Sequence, residues 1–151
     1  MRFTTKTEYG LVCLIYMAKH SAQTLDPVTI KELVKAEGYP LAYTEKILQT
    51  LRAAKILDSR EGHHGGYALA RPAAEITLRE IVEALEGATF DVFCEPKVRN
   101  EITCTHFPLC SIKPLWEKTK DLLDGFYGSI TLESLIKNGS ANQPAGSARK
   151  N

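Results

Sequence analysis

Apolar residues near the start of the chain recur at the spacing of an amphipathic helix. Within residues 7–20 they fall at i, i+3, i+4 and i+7, at Leu11, Leu14, Ile15 and Ala18. Cys13 lies off that stripe and is interpreted as a small buried hydrophobe. The pattern predicts a first helix with one face turned towards a core.

A second, short helix is predicted from its start signal. Thr29 followed by Glu32 has the spacing of a capping box, in which each side chain accepts a backbone N–H of the other residue. The helix is expected to run to about residue 36. Gly38 then suits a tight turn because glycine adopts positive φ without strain.

A third helix is predicted over residues 40–53, with Pro40 suited to its first position. Its inward stripe consists of Thr44, Ile47, Leu48 and Leu51. Its outward residues are Ala42, Tyr43, Glu45, Lys46, Gln49 and Thr50. The outward face is therefore polar and of mixed charge.

Two short alternating segments, residues 55–60 and 67–71, flank the Gly-rich residues 61–66 and predict a β-hairpin. The order helix, turn, helix, hairpin is typical of a winged helix-turn-helix. The predicted fold class is mainly α with a small β-hairpin wing.

Downstream, Thr77 and Glu80 form a second capping box, which opens a helix with Ile81 and Leu85 inward that Gly87 can end. Residues 88–110 show no periodicity. Pro114 can then start a long helix with the apolar residues Leu115, Trp116, Leu122, Leu123, Phe126, Tyr127 and Ile130. A peripheral helix needs fewer apolar residues, so a second subunit is expected to cover it.

The predicted organisation has three parts. Residues 1–71 form the winged helix-turn-helix, and residues 72–138 hold a linker helix, an aperiodic loop that contains three cysteines (88–110) and the dimerisation helix. Residues 139–151 have the composition of a disordered tail.

Composition sets the class of protein. The chain has 151 residues, of which 44% are hydrophobic and 25% charged, as in an average globular domain. Such a length suits one domain, or one domain with a dimerising appendage, and excludes multi-domain machinery. No apolar run is long enough for a membrane span and no secretory signal is recognised, so a cytoplasmic location without membrane contact is expected.

Charge differs between the two halves although the net charge is +1. Residues 1–71 carry ten Lys and Arg against seven Asp and Glu, whereas residues 72–138 carry seven against eleven. A polyanion would therefore meet the first half.

Double-stranded DNA is the predicted partner of that half. The second helix of a helix-turn-helix enters the major groove, where amides, cations and carboxylates can reach base edges, while a wing can reach phosphates or the minor groove. The candidate DNA contacts are Arg2, Lys6, Thr29, Tyr43, Glu45, Lys46, Gln49, Thr50, Arg60, His63 and His64. One alternative is that the helix-turn-helix serves only to pack the core, and another is that the winged helix binds protein. For the two histidines, the alternative is a solvated turn without a role in binding.

Three cysteines lie close together in the aperiodic segment. Cys94, Cys104 and Cys110 are separated by nine and five residues. Soft thiolates on backbone that is free to wrap are what an iron–sulfur cluster or a zinc site requires. The spacing lacks the CxxC pair of a zinc ribbon, which weakens the zinc interpretation, and His106 is a nearby candidate for a fourth ligand.

No catalytic motif is present, so an enzyme is not expected.

Four stretches match one known family. They are Met1-Arg2-Phe3-Thr4 leading to Glu8-Tyr9-Gly10-Leu11, Tyr43-Thr44-Glu45-Lys46-Ile47-Leu48-Gln49-x-Leu51, Gly62-x-x-Gly65-Gly66-Tyr67-x-Leu69-Ala70, and the three-cysteine loop. In these the chain resembles the Rrf-two (BadM-type) family of bacterial transcriptional regulators, over about residues 1–137. The resemblance implies a homodimer in which a long C-terminal helix of each subunit crosses to its partner.

Members with the cysteines hold a redox-active iron–sulfur cluster that decides whether DNA is bound. The resemblance therefore implies a regulator, expected to be a repressor of transcription, that senses nitric oxide, redox state or iron–sulfur status. IscR-like members have a histidine ligand where this chain has Lys113, whereas NsrR-like members share the five-residue gap, and some take a carboxylate ligand from the partner's first helix, for which Glu8 is in place. A 2Fe–2S cluster is favoured over 4Fe–4S, and a cluster-free regulator using thiol oxidation or zinc is the alternative.

Overall fold

The computed structural model describes residues 4–62, 65–91 and 109–141, with side chains to residue 139. These residues form six α-helices and one β-hairpin. The helices are α1 (Thr5–Ser21), α2 (Ile30–Glu37), α3 (Leu41–Ala53), α4 (Leu78–Glu86), α5 (Lys113–Ser129) and α6 (Leu132–Ala141), and the strands are β1 (Leu57–Arg60) and β2 (Gly66–Leu69). A short 3₁₀ helix (Ala73–Glu75) precedes α4. The mainly helical fold with a hairpin wing is confirmed. Within the described residues, no helix combines the length and apolar character needed to cross a membrane.

Both predicted capping boxes are confirmed. At the start of α2, Thr29 Oγ1 accepts from the Glu32 backbone N–H at 3.2 Å and Glu32 Oε2 accepts from the Thr29 N–H at 2.8 Å. At the start of α4, Thr77 Oγ1 accepts from the Glu80 backbone N–H at 3.2 Å and Glu80 Oε2 accepts from the Thr77 N–H at 2.9 Å. Each box satisfies two backbone donors that a helix start leaves unpaired, so the sequence fixes where these helices begin.

The core is built around α1, which packs against α3, α4, α6 and β2. Because it is covered on several sides, its buried face is broader than the predicted stripe. Cys13 and Leu14 are fully buried and Met17 is nearly so, whereas Leu11 and Ile15 are only partly buried. The predicted stripe therefore faces the core, with Leu11 and Ile15 at its edge, and the interpretation of Cys13 as a buried hydrophobe is confirmed.

The inward stripe of α3 is confirmed at all four positions, since Thr44, Ile47, Leu48 and Leu51 are fully buried. Residues of α4 such as Ile81 and Leu85 join the same core cluster. The helix-turn-helix and α4 therefore share one hydrophobic core across the predicted boundary at residue 71.

The wing has a third, one-residue strand that the sequence pattern did not reveal. β1 and β2 pair antiparallel, with Leu57 opposite Leu69. Val28 forms a bridge to Tyr67, with both backbone hydrogen bonds at 2.8 Å. A single residue carries no periodicity, yet this bridge ties the wing to the chain segment before α2.

Gly66 makes that bridge possible, and its replacement is expected to damage the wing. A Cβ at Gly66 would lie 2.6 Å from the Val28 carbonyl oxygen, a contact with backbone that only a shift of the wing relieves. We expect Gly66→Ala to lower the free energy of unfolding by about 1–3 kcal/mol in urea titrations. Gly139→Ala, on α6 with open space at its Cβ, is the matched control and should be neutral or slightly stabilising. Equal stability of the two variants would contradict this account of the bridge.

The predicted single C-terminal helix is two helices. α5 ends at Ser129, and residues 130–132 run extended beside Ile76 and Leu78, with Leu78 N–H donating to the Ile130 oxygen and Leu132 N–H to the Ile76 oxygen, both at 2.8 Å. Thr131 and Ser134 exchange backbone-to-side-chain hydrogen bonds at 3.1 Å, which starts α6. This pairing breaks the helix that the apolar pattern had extended through Ile130.

α6 returns to the core, where Leu132 is fully buried and Ile136 packs against the main cluster. Its backbone is helical to Ala141, so the helix continues into the segment predicted as a tail. The rest of that segment lies outside the described residues.

Candidate nucleic-acid interface and metal ligands

The outward face of α3 and the first turn of α1 line one open groove of about 540 Å³. Five predicted DNA contacts meet there: Lys6, Tyr43, Lys46, Gln49 and Thr50. The structure therefore brings together residues from two helices that the sequence had predicted separately. We call this surface the α3 groove.

The polar face of α3 is presented by a rigidly packed helix. Opposite the buried stripe, Glu45, Lys46 and Gln49 are exposed. The Gln49 amide makes one long contact with Glu45 Oε1, at 3.5 Å, whereas the Thr50 hydroxyl donates to the Lys46 carbonyl at 2.9 Å. The amide and the ammonium are thus the groups most available to hydrogen-bond base edges.

An aromatic cluster fixes the start of α3. Tyr9 of α1 stacks on Tyr39 in the turn, with centroids 3.7 Å apart and planes 2° from parallel, and meets the edge of Tyr43 at 5.8 Å. The pKa of Tyr39 is raised mainly by partial burial and to a smaller extent by the nearby Glu37 carboxylate. Tyr43 is half-buried, so its ring orientation is set by packing before any DNA arrives. Linear sequence gives no sign of this cluster because its members lie on different elements.

The first turn of α1 is attached to the end of α4. Glu86 accepts hydrogen bonds from the hydroxyls of Thr4 and Thr7, and the Lys6 ammonium donates to the Leu85 carbonyl at 2.6 Å. Partial burial raises the pKa of Glu86, but these hydroxyls and the Lys6 charge outweigh it and leave the pKa below its usual value. Lys6 therefore lines the α3 groove while its ammonium is also engaged with α4.

Just beyond α4, the chain is attached to α5. Thr89 donates to the Asp124 carboxylate, which also pairs with Arg79 and Lys120, each at 3.4 Å. Burial raises the pKa of Asp124, but the Thr89 hydrogen bond and the two cations outweigh it and lower the pKa overall. The segment that leads to the first two loop cysteines is thus anchored on α5.

The remaining predicted DNA contacts are dispersed or undescribed. Arg60 is exposed and donates to the Leu25 carbonyl at 3.2 Å, and the Thr29 hydroxyl is used in its capping box. Arg52, which is not among the predicted DNA contacts, donates to Ser59 at 3.0 Å and links α3 to the wing. Arg2, His63 and His64 lie outside the described residues.

Of the three predicted thiol ligands, only Cys110 lies among the described residues. Cys94 and Cys104 lie outside the described residues, as does His106, so no group of three metal-binding side chains is found in the part of the chain that the structure covers. Cys110 is a free, half-buried thiol three residues before the first residue of α5. Its position next to α5 leaves it within the predicted cysteine loop.

Cys13 does not fit the role of ligand. Burial, reinforced by the Glu37 charge, raises the pKa of its thiol to about 12. The side chain is fully buried and so remains a neutral thiol at physiological pH.

Glu8 is exposed in the first turn of α1, and its carboxylate has no hydrogen bond or ion pair with the described residues. Lys113 pairs with Glu117 at 3.5 Å. The carboxylate is thus available for a metal, whereas the position where IscR-like members have histidine carries a cation.

Comparison with known proteins identifies the family. The family model described as "Rrf2: Iron-dependent Transcriptional regulator" matches residues 3–138. The chain belongs to the Rrf2 family. Because this is a family of transcriptional regulators, the chain is a transcriptional regulator and not an enzyme.

Two relatives span almost the same length. Protein rrf2 of Nitratidesulfovibrio vulgaris is 30% identical over 93% of this chain and 90% of its own. The HTH-type transcriptional regulator IscR of Xenorhabdus nematophila is 30% identical over 91% of this chain and 80% of its own. The resemblance inferred from the sequence motifs is confirmed.

Solved structures confirm the fold. The global cysteine regulator CymR of B. subtilis has a TM-score of 0.71 at 28% identity, covering 91% of this chain and 98% of its own. IscR of T. potens has the same TM-score and identity, covering 97% and 94%. Rrf2 proteins with an IscR name and with a cysteine-regulator name are therefore equally similar to this chain in fold.

Proposed function

We propose that this chain is a cytoplasmic transcriptional repressor, binding a two-fold symmetric DNA site as a homodimer, with an affinity controlled by an iron–sulfur cluster. The α3 groove carries the DNA-binding part of the proposal. There a packed helix presents the Gln49 amide and the Lys46 ammonium, and a second helix adds Lys6. The exposed Glu45 carboxylate lies on the same helix. This arrangement suits a helix reading the major groove while neighbouring cations meet phosphates.

A homodimer is supported by the exposed apolar stripe of α5. Leu115, Leu122 and Phe126 fall at i, i+7 and i+11, so they share one face, and each is more than half exposed, at 54%, 66% and 61%. Three large apolar side chains in one row are rarely left in water. A second copy of α5 would cover them and place two α3 helices about a two-fold axis.

Cys94, Cys104 and Cys110 are proposed to hold the cluster, and 2Fe–2S is favoured over 4Fe–4S. Thiolate-bound iron supplies the chemistry on which nitric oxide, oxidants or a changing supply of clusters can act. The fourth ligand is proposed to be Glu8 of the partner subunit, with His106 as the rival. A carboxylate oxygen binds more weakly than thiolate, which suits a labile position.

The described contacts offer a path from the cysteine segment to the DNA-reading helix. Asp124 fixes the segment after α4 to α5, and Glu86 fixes the end of α4 to the first turn of α1. Tyr9, next to Glu8, packs on Tyr43 at the start of α3. A change in the cysteine segment that moves α1 would therefore shift the residues lining the α3 groove.

A cluster-free regulator is the second candidate. It is favoured by the likeness to an oxidized form of Staphylococcus aureus CymR, with a TM-score of 0.66 at 28% identity. In that case the loop thiols would act by oxidation or by binding zinc. A winged-helix module that binds protein instead of DNA is the alternative outside the family's function.

Separating base contacts from phosphate contacts tests the DNA-binding proposal. We expect Gln49→Ala to weaken binding to the preferred site by about 1–3 kcal/mol and to relax the preference at one base position, leaving random DNA binding unchanged. Arg60→Gln should weaken binding to all sequences and lower the slope of log K against log salt by about one. Anisotropy titrations at several salt concentrations measure both.

Lys19→Gln, which removes one exposed charge from α1, is the control. It should change neither the base preference nor the salt dependence of DNA binding. An equal loss of specific and random binding in Gln49→Ala would mean that α3 does not read the bases. Absence of salt-dependent binding in the unsubstituted protein would favour the protein-binding module.

A further inference from the structure

The first turn of α3 presents an apolar surface that the proposed base contacts do not use. Leu41, the first residue of the helix, is 50% exposed, and Ala42 is exposed beside it. The exposed residues that follow along the helix, Glu45, Lys46 and Gln49, are all polar. The exposed side of α3 therefore has an apolar start, made of Leu41 and Ala42, and a polar remainder. We call the start the apolar turn.

Packing within the subunit leaves Leu41 half covered. It belongs to neither hydrophobic cluster of the described residues, whereas Tyr39 and Tyr43, which flank it in the chain, pack against the larger cluster. Its exposed fraction is close to the 54% of Leu115, which lies in the apolar stripe of α5. Covering a large apolar side chain releases free energy, so a partner with an apolar group of its own would be favoured here.

The position of the apolar turn directs it at the bases of bound DNA. In a helix-turn-helix, the second helix enters the major groove and its N-terminal residues contact the base edges. α2 and α3 are separated only by residues 38–40, so Leu41 and Ala42 begin that second helix. The next residue, Tyr43, lines the α3 groove together with Lys46. The apolar turn is thus continuous with the surface proposed to read DNA.

Thymine carries the group that such a turn can recognise. Base pairs present mainly hydrogen-bond donors and acceptors in the major groove, and the C5-methyl group of thymine is the apolar exception. The side chains of Leu41 and Ala42 have no hydrogen-bonding group, so they cannot select a base through a donor or an acceptor. They can select one by burying its methyl group.

We propose that Leu41 and Ala42 pack on the C5-methyl group of a thymine in each half-site and so give the regulator a preference for thymine there. The inference rests on the proposed DNA-binding function and adds a base preference to it. Gln49 lies about two helical turns after Ala42. The thymine should therefore occupy a different base position from the one that Gln49 reads.

Deoxyuridine in place of thymine removes the methyl group and keeps the hydrogen-bonding edge, so it tests the contact directly. Anisotropy titrations of the full chain would use the duplex that the protein recovers from a random pool, with each thymine replaced in turn in one half-site. We expect one position at which deoxyuridine weakens binding about fourfold, as burial of one methyl group predicts.

The double variant Leu41→Ser with Ala42→Ser makes the apolar turn polar and should bind the thymine and deoxyuridine duplexes equally. Leu25→Ala is the matched control because it shortens another leucine, 89% exposed in the loop before α2. It should keep the fourfold difference. Circular dichroism checks that both variants are folded.

Equal affinity for thymine and deoxyuridine at every position would overturn the proposal, as would a recovered half-site without thymine. Neither result depends on how the double variant folds, and both leave the proposed repressor function intact. A difference that persists in the folded double variant would also overturn the proposal, because the methyl group would then be read by other residues. A protein that bound no DNA at all would fail the proposed function as well, so the two failures are distinguishable.

Discussion

The double variant Leu122→Glu with Phe126→Glu is expected to be monomeric and to lose most of its affinity for DNA. Both side chains are exposed on one face of α5, and glutamates would bring like charges together across a two-fold axis. A dimer reads two half-sites in one binding event, so a monomer should bind the full site about a thousandfold more weakly. Light scattering gives the mass, and anisotropy titration gives the affinity.

Lys118→Gln is the matched control because it changes the charge of the same helix in the same direction at an exposed polar position. It should remain dimeric and retain DNA binding. If the double glutamate variant stayed dimeric, the α5 stripe would not be the interface. A monomer with unchanged DNA affinity would remove the two-fold symmetric site from the account.

Loss of the proposed iron–sulfur cluster is the second effect that we expect to be large. Single replacement of Cys94, Cys104 or Cys110 by alanine is expected to remove most of the bound iron and sulfide from anaerobically purified protein. Cys13→Ala should retain both, because that thiol is buried and its pKa is about 12, at a cost of about 1 kcal/mol in stability. Iron and sulfide assays, normalised to protein, give the result. Full iron content in Cys104→Ala would contradict the ligand assignment.

The same measurements, with visible spectra, distinguish the candidate fourth ligands. Glu8→Ala should shift the visible spectrum and speed the loss of the cluster, whereas His106→Ala should change neither. The reverse pattern would assign the fourth position to His106. Zinc, or no metal at all, in the unsubstituted protein would favour the cluster-free regulator.

Local signals in the sequence predicted the parts of the fold that depend on neighbouring residues. The capping boxes at Thr29 and Thr77 and the inward stripe of α3 follow from spacings of three and four residues, and each is present as predicted. The α3 groove was also largely predictable, because outward residues follow directly once the inward stripe is known.

Features that depend on distant pairings were missed. The break between α5 and α6 arises from strand pairing with Ile76 and Leu78, which the apolar pattern of residues 114–130 cannot reveal. The buried face of α1 is broader than the predicted stripe and includes Met17, because α1 is packed on several sides at once. The contacts of Glu86 with Thr4 and Thr7 likewise join residues about eighty positions apart.

The predicted metal site likewise combines ligands with a local sequence signal and a ligand without one. The grouping of three cysteines in the chain is a local signal, and the predicted ligand set rests on it. Glu8 entered only through the family resemblance, because the carboxylate proposed to complete the site belongs to another subunit. A single sequence contains no pattern that identifies a ligand contributed across a symmetry axis.

The central claim is that the state of the cluster sets the affinity for a symmetric DNA site. Its most direct test is an anaerobic titration of one duplex, recovered by the protein from a random pool, with the cluster intact and with the cluster removed. We predict a palindromic site with half-sites about one helical turn apart, bound at least about tenfold more tightly by the cluster-bearing dimer. Equal affinity of the two forms would contradict control by the cluster.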